Sequence, residues 1–402
     1  MNHFAVLTRY ELKKLLQKKI LWVTLIVCFL GILFSLLFPL VGDYYVDQVF
    51  IDTNYNMHIT DQGYRKALDG RAIDQTLLEE TIEAYRRVPM DKTPYSLTEE
   101  YQAYARPYSE IFHLIRIWTG LDPAATANWS PDEAALYAAM SQTMRTAWGY
   151  NYLTHGEITY WESQLNALQT PFVYAHNDGY RYILEVFLTV GFLMLLYAAI
   201  ALSNVFPDEH THRTDQLVLS APLGRNTVYW AKLTAGITAG VIGALLMTLL
   251  TWAVSLCIYG TSGFNAPVQL FYTSYAGNLT IGQACLIAYG CLMVTAALMS
   301  VAVMVLSELL RSGIGALSVT SAMLLASALV QVPPQYRLLG QLWDYLPTGF
   351  LAMWNVFDCR LIPLFGMQFT PYQVVPVIYL IAAVLLSILG KTLYVRYQVT
   401  GR

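Results

Sequence analysis

The stretch LTAGITAGVIGALLMTLLTWAVSLCIY (233–259) carries no charged side chain. Nor does the chain beyond it until Glu308, so 75 consecutive residues (233–307) lack Asp, Glu, Lys and Arg. Water does not hold such a run in solution unless something covers it. A bilayer does. Its hydrocarbon core of about 30 Å needs about 20 apolar residues as helix, because lipid offers backbone groups no hydrogen-bond partner. A polar connector bearing Gly and Asn, 260–280, divides the run, which predicts one span near 233–259 and another near 281–306.

Four more segments meet the same demand: 20–41, 186–206, 314–332 (ended by Pro333-Pro334) and 374–390. The first is not a cleaved signal peptide, since its apolar core is too long and no small-residue cleavage site follows Pro39; it reads as a signal anchor. The expected fold is therefore all-α: a polytopic membrane protein with six transmembrane helices and a helical extracellular domain between spans one and two. The expected organisation is an interfacial helix at 1–19, the first transmembrane helix at 20–42 and the extracellular domain at 43–180. Spans two to six follow within 181–402, with an inner loop at 207–232 and an outer segment at 333–373.

Charge is distributed to match. The 402 residues are 13% charged, against roughly 25% in an ordinary soluble domain, and net charge is −3. Residues 43–180 hold 19 Asp and Glu against 9 Lys and Arg, whereas the remainder holds 8 acidic and 15 basic residues. Six spans put both termini on one side. With the termini inside, the inner segments carry twelve Lys and Arg, and the two short outer loops carry only Arg337 and Arg360. The positive-inside rule then predicts a multi-pass protein of the plasma (cell) membrane with both termini cytoplasmic. A cytosolic enzyme and a nucleic-acid binder are excluded. Cys28, Cys257, Cys285 and Cys291 lie in apolar runs and read as buried free thiols rather than a disulfide framework.

The acidic block predicts helices. Thr76 with Glu79, Ser96 with Glu99 and Ser130 with Glu133 each have capping-box spacing, and a further helix is expected near 157–168. Trp118, Trp129, Trp148 and Trp161 are expected in its core. His58, His113, His155 and His176 lack metal-ligand spacing, and no Ser/His/Asp constellation marks a hydrolase, so no enzyme activity is expected.

The spans are informative for what they lack. None holds an acid, a base or a histidine away from its ends, which argues against an ion-coupled carrier, a proton pump or an intramembrane metalloprotease. Gly236-Ile-Thr-Ala-Gly240 has the spacing that lets helices approach closely, within the bundle or in a dimer. Gly390-Lys391-Thr392 resembles the end of a phosphate-binding loop, but Leu385 stands where that loop needs glycine, and the tripeptide ends an apolar helix. No ATP site is expected in the chain, and energy must come from elsewhere.

Two inner segments remain. Residues 2–19 place Phe4, Leu7, Leu12, Leu15 and Leu16 on one helical face with Arg9, Lys13 and Gln17 opposite. That pattern fits an interfacial helix on the inner leaflet or a plain positive flank of the first span. The loop Asp208-Glu-His-Thr-His-Arg-Thr-Asp-Gln-Leu-Val-Leu-Ser-Ala-Pro-Leu-Gly-Arg-Asn-Thr-Val-Tyr-Trp-Ala-Lys232 reads as a short amphipathic helix, a Ser-Ala-Pro turn and a helix entering the membrane. His210 and His212 diverge at i, i+2 and suit a solvated loop better than a metal site. The apolar Leu217, Val218 and Leu219 fit a surface that docks on a partner.

The pattern Glu209, Thr214, Leu217, Leu219, Ser220, Pro222, Arg225 and Lys232 resembles the cytoplasmic coupling segment of type-2 ABC permeases, the exporter class with six spans per subunit. The basic N-terminal helix, the spans and the outer segment with Leu346-Pro-Thr-Gly fit the same family. Two features depart from it: Arg213 stands where glycine often precedes the threonine, and a large outer domain occurs only in some members. The resemblance implies a permease subunit that pairs with an identical or related second permease subunit. It implies that separate cytosolic ABC ATPase subunits use the ATP, with no cofactor on this chain. Glu209 and Leu217 would touch the ATPase, with Thr214, Ser220 and Pro222 in the same segment, while Arg225 and Lys232 would sit at the inner headgroups. The other reading is a non-transporting membrane receptor or assembly factor whose extracellular domain binds a ligand.

Overall fold

The computed structural model describes residues 3–90, 94–211 and 224–396, and their regular structure is helical except for four short strands. Among them, five helices are long and apolar enough to cross a membrane: Lys19–Leu40, Phe187–Glu209, Asn226–Tyr259, Ile281–Leu310 and Pro371–Val395. The segment expected as the fifth of six spans forms a shorter apolar helix, Gly313–Leu329. At about 1.5 Å per residue its 17 residues reach about 26 Å, short of a 30 Å core. Its bounds are set locally. Ser312 caps the start by accepting the Gly315 amide at 3.1 Å, Arg311 before it has φ +52°, and the chain is extended from Val330.

The chain divides into two units, Met1–Phe34 with Glu185–Val254 and Ile287–Arg402, and Ser35–Leu184 with Ser255–Leu286. The first unit is the helical bundle. Its close contacts explain the small residues of the 233–259 stretch. A Cβ at Gly236 would meet the Met304 sulfur at 2.2 Å, and one at Gly240 would meet the Ser300 hydroxyl at 2.0 Å. The spacing of Gly236 and Gly240 therefore serves packing between two helices of this bundle. The Gly390-Lys391-Thr392 tripeptide lies inside the helix Pro371–Arg396, where a Cβ on Gly390 would come within 2.5 Å of the Tyr229 hydroxyl.

The second unit is built of helices around an aromatic core. Trp118, Trp148 and Trp161 are buried as expected, and Tyr85 stacks on Phe112 with ring centroids 3.6 Å apart. Trp129 is only half-buried. The helices expected from the Thr76 and Ser130 capping boxes exist, but the first begins two residues earlier and the second two residues later. Asp74 caps Gln75–Arg86 by accepting the Leu77 amide at 3.0 Å, and Asp132 caps Glu133–Tyr150 by accepting that of Ala135 at 3.1 Å. Aspartate accepts amide hydrogen bonds as well as serine or threonine, so Thr76 and Ser130 lose the position to acids two residues away. Ser96 lies in a short 3-10 turn, Tyr95–Leu97, and the helical backbone expected after it starts at Glu99, where the Thr98 hydroxyl accepts the Tyr101 amide at 3.3 Å, and passes into the π-helical turn Tyr101–Ala105. The connector 260–280 packs as part of this unit: the Trp118 indole donates to the Thr273 carbonyl at 3.3 Å, and a Cβ on Gly179 would lie 2.0 Å from the Gly260 carbonyl.

A charge network crosses the second unit. Arg65 pairs with Glu110 at 2.8 Å and Asp178 at 2.6 Å, and Arg181 pairs with Glu110 at 3.1 Å. Burial pushes the Glu110 carboxyl up, but Arg181 and Arg65 outweigh it and hold it below the usual carboxylate range. His176 is buried beside this network, 3.8 Å from Asp178, and neither ring nitrogen has a hydrogen-bond partner.

The structure adds two β-hairpins that the sequence reading does not contain. Asp43–Val46 pairs with Val49–Thr53, and Ile362–Leu364 pairs with Met367–Phe369.

Burial holds the imidazoles of His176 and His58 below their ordinary value of 6.5. The unfolded chain then takes up protons before the folded one does, so these groups stabilise the unit above 6.5 and that contribution is lost as pH falls through their folded values. Thermal unfolding of the purified protein is therefore expected at progressively lower temperature below pH 6.5. His176→Phe should flatten that decline; an unchanged pH profile in the variant would contradict the assignment.

Candidate functional site

A lysine with no access to water is held only where carboxylates replace its hydration. Lys232 is such a lysine, at 0% exposure in the helix Tyr229–Tyr259. Its ammonium lies 2.8 Å from Glu209 Oε1 and 3.1 Å from Glu11 Oε2. These three groups come from places far apart in the chain. Glu11 stands on the N-terminal helix His3–Leu16, whose last turn carries Lys13 and Lys14. Glu209 lies in the short helix Pro207–Thr211 at the end of the second span, and Asp208 beside it pairs with Lys18. The Lys18–Asp208 pair thus ties the N-terminal segment to the start of the inner loop, and Lys232 ties both to the loop's other end.

Aromatic packing backs the charges. Phe206 stacks on Tyr229 with centroids 5.6 Å apart and 23° between planes, and both rings meet Tyr394. The Tyr229 hydroxyl donates to the Ser387 carbonyl at 2.7 Å, which fastens the last long helix to the same place. Lys391 lies over the Trp230 ring at 5.9 Å, a cation–π contact on the same two helices. The π-helical turn Gly224–Val228 leads into Tyr229 and packs against the N-terminal helix, so the loop ends on a fixed platform.

Of the residues expected to couple the loop to a partner, Glu209 and Lys232 meet each other, and Arg225 lies in the turn Gly224–Val228. Thr214, Leu217, Ser220 and Pro222 lie outside the described residues, as do Leu219, Arg213 and His212. The Lys232 side chain faces two carboxylates in the interior, and Glu209 is 7% exposed with its carboxylate engaged by Lys232. Desolvation explains the arrangement, since a buried ammonium is stable against carboxylates. Glu11 is the member that the sequence reading missed. Its signal was available, since it is the only acid among the bases of residues 1–19.

Chemically the arrangement is a latch. It makes the positions of three segments depend on one another. Lys232→Met should leave two carboxylates without their cation and cost about 3–5 kcal/mol of stability. The triple variant Glu11→Gln, Lys232→Met, Glu209→Gln should recover most of that loss, because it leaves no unpaired charge. Thermal unfolding in detergent, followed by size-exclusion fluorescence, reads both; a triple variant no more stable than Lys232→Met would contradict the account.

A family profile described as ABC-2 family transporter protein matches residues 5–337, a range that contains Glu11, Glu209 and Lys232. Neither a curated protein nor a solved structure matches the chain.

Proposed function

The chain belongs to the ABC-2 transporter family, and from that premise we propose that it is the membrane-spanning subunit of an ATP-driven exporter whose inner loop docks on separate ATPase subunits. Membership makes it a multi-pass transport subunit. Export, the docking partner and the inner placement of the termini are the proposal. The observation that carries it is the engagement of Lys232 by Glu209 and Glu11, which leaves the loop 212–223 between two braced ends.

In this reading, ATP closes a pair of ATPase subunits beneath the membrane, and the loop transmits that movement. A loop on loose ends would dissipate it. Here the start of the loop is bound to the N-terminal helix through Lys18 and Asp208, and its end is bound through Lys232 and Glu11. A push on Leu217, Ser220 or Pro222 would therefore shift the second span, the third span and the N-terminal helix together. The cycle is a shift of population between states that ATP and substrate bind differently. Thr214 and Arg225 would border the docked surface. The translocation path would form between this chain and a second permease subunit, identical or related. Residues 43–180 would face the outside, where their excess of acids does not oppose insertion.

Leu217 is the residue whose change should separate docking from folding, because the reading places it on the partner and not in the latch. Leu217→Asp buries a charge against an apolar contact, and each 1.4 kcal/mol lost is a tenfold loss of affinity. The ATPase subunit is expected to co-purify in stoichiometric amount with the wild-type chain and to be lost from Leu217→Asp, with insertion and thermal stability unchanged. A variant that retains the ATPase and its nucleotide hydrolysis at the wild-type level would remove the proposal. So would a wild-type chain that purifies alone.

A further inference from the structure

The first span ends at Leu40, and the hairpin 43–53 begins three residues later. Gly42, at φ +108°, turns the chain off the helix, and Asn54 locks the corner by donating from its backbone amide to the Gly42 carbonyl and from its side chain to that of Val41, both at 2.9 Å. Asp47 and Gln48 form the turn with φ +45° and +67°, which suits the twist of a two-residue hairpin. One side of the hairpin is anchored in the protein: Val46 is buried, and Tyr44 lies under the Arg106 guanidinium at 4.8 Å and accepts from Gln102 at 2.9 Å.

The other side has no such cover. Tyr45 and Phe50 pair across the strands with ring centroids 6.0 Å apart, and both rings are about half exposed. Val49, opposite Val46 at the turn, and Ile51 are also exposed, at 62% and 50%. The apolar surface does not stop at the hairpin, because Phe38 in the last turn of the span exposes 62% and Val41 just past its end 68%. An exposed aromatic two-stranded edge of this kind in water invites aggregation. Aromatic side chains at the boundary of a bilayer core are, by contrast, in their preferred place.

The second unit is not alone in this. In the first unit the hairpin 362–369 is separated from the last long helix by Thr370 only. Its turn again has two residues with positive φ, Phe365 at +53° and Gly366 at +78°. Phe365 at its tip is 97% exposed, and Met367 next to it 58%.

We propose that these two span-end hairpins bed their apolar side chains in the interfacial layer of the bilayer, so that lipid is the partner of Tyr45, Val49, Phe50 and Ile51, and of Phe365. Continuity with the exposed apolar end of the first span identifies the occupant as lipid. The hairpin 43–53 also carries Asp43, Asp47 and Asp52, with no lysine or arginine before Arg65, which suits a zwitterionic surface better than an anionic one. The proposal needs only that the chain spans the membrane, and it stands whether or not an ATPase docks on the inner loop.

The full-length chain, with Cys257 and Cys359 changed to serine, is reconstituted at one copy per phosphatidylcholine nanodisc. A polarity-sensitive fluorophore is placed at Phe50→Cys, Val49→Cys or Phe365→Cys, and at Glu83→Cys, an exposed position on the helix Gln75–Arg86, as reference. Nitroxide carried near the headgroup of phosphatidylcholine is expected to remove most of the emission at 49, 50 and 365, which aqueous iodide leaves intact. The reference should show the reverse. Quenching of positions 49 and 50 by iodide rather than by lipid would overturn the proposal for the first hairpin. Protection from both quenchers would overturn it as well, since protein would then cover the surface. Two probe positions in one hairpin guard against a single variant that misfolds, and unchanged size-exclusion behaviour confirms each.

Discussion

The Lys232 ammonium has to find negative charge without water, and the inner end of the bundle is arranged around that need. The 75 uncharged residues begin immediately after it. A lysine at such a boundary could extend to the headgroups; here it is enclosed, and Glu11 and Glu209 supply the compensation. Neither carboxylate is a sequence neighbour. Bringing them together draws in the N-terminal helix, the end of the second span and the start of the third. Lys18 with Asp208, and the rings of Phe206, Tyr229 and Tyr394, consolidate the same junction. Breaking one member is costly where removing the whole set is not, which is the behaviour of a device that fixes position more than one that adds stability.

The second unit meets the same constraint differently. Arg65 lies between Glu110 and Asp178, and Arg181 completes a chain of alternating charge. Around it, Trp118, Trp148 and Trp161 supply large apolar area, and the indole of Trp118 still reaches a carbonyl, as a buried indole must. His176 is the exception, a buried imidazole without a hydrogen bond, and its burial resists protonation in the folded chain.

Most of the membrane architecture was legible, because the demand of lipid for about 20 apolar residues in a row is severe and local. The 233–259 and 281–306 segments form long helices that extend only a turn or so beyond those bounds. The helix at 313–329 is shorter than its apolar run suggested, because Ser312 and the extended Val330 close it on both sides. Local competition moved the caps: Asp74 and Asp132 won over Thr76 and Ser130, and nothing in a spacing rule chooses between them. The hairpins were not legible, since Asp47-Gln48 and Phe365-Gly366 are weak turn signals within segments read as all-helical. The latch was half legible. Glu209 and Lys232 were singled out, but the contact of Lys232 with Glu11 spans more than 200 residues of chain and is a property of packing alone.

In the proposed function this chain is one component of an ATP-driven machine, with the membrane path on this chain and the ATP-hydrolysing activity on another subunit. Native mass spectrometry of the complex extracted gently from its own membranes tests this most directly. The account predicts a particle containing this chain, a second permease subunit and two copies of an ATPase subunit bearing a phosphate-binding loop. A particle that contains this chain and hydrolyses no ATP, with no such subunit in it, would contradict the account.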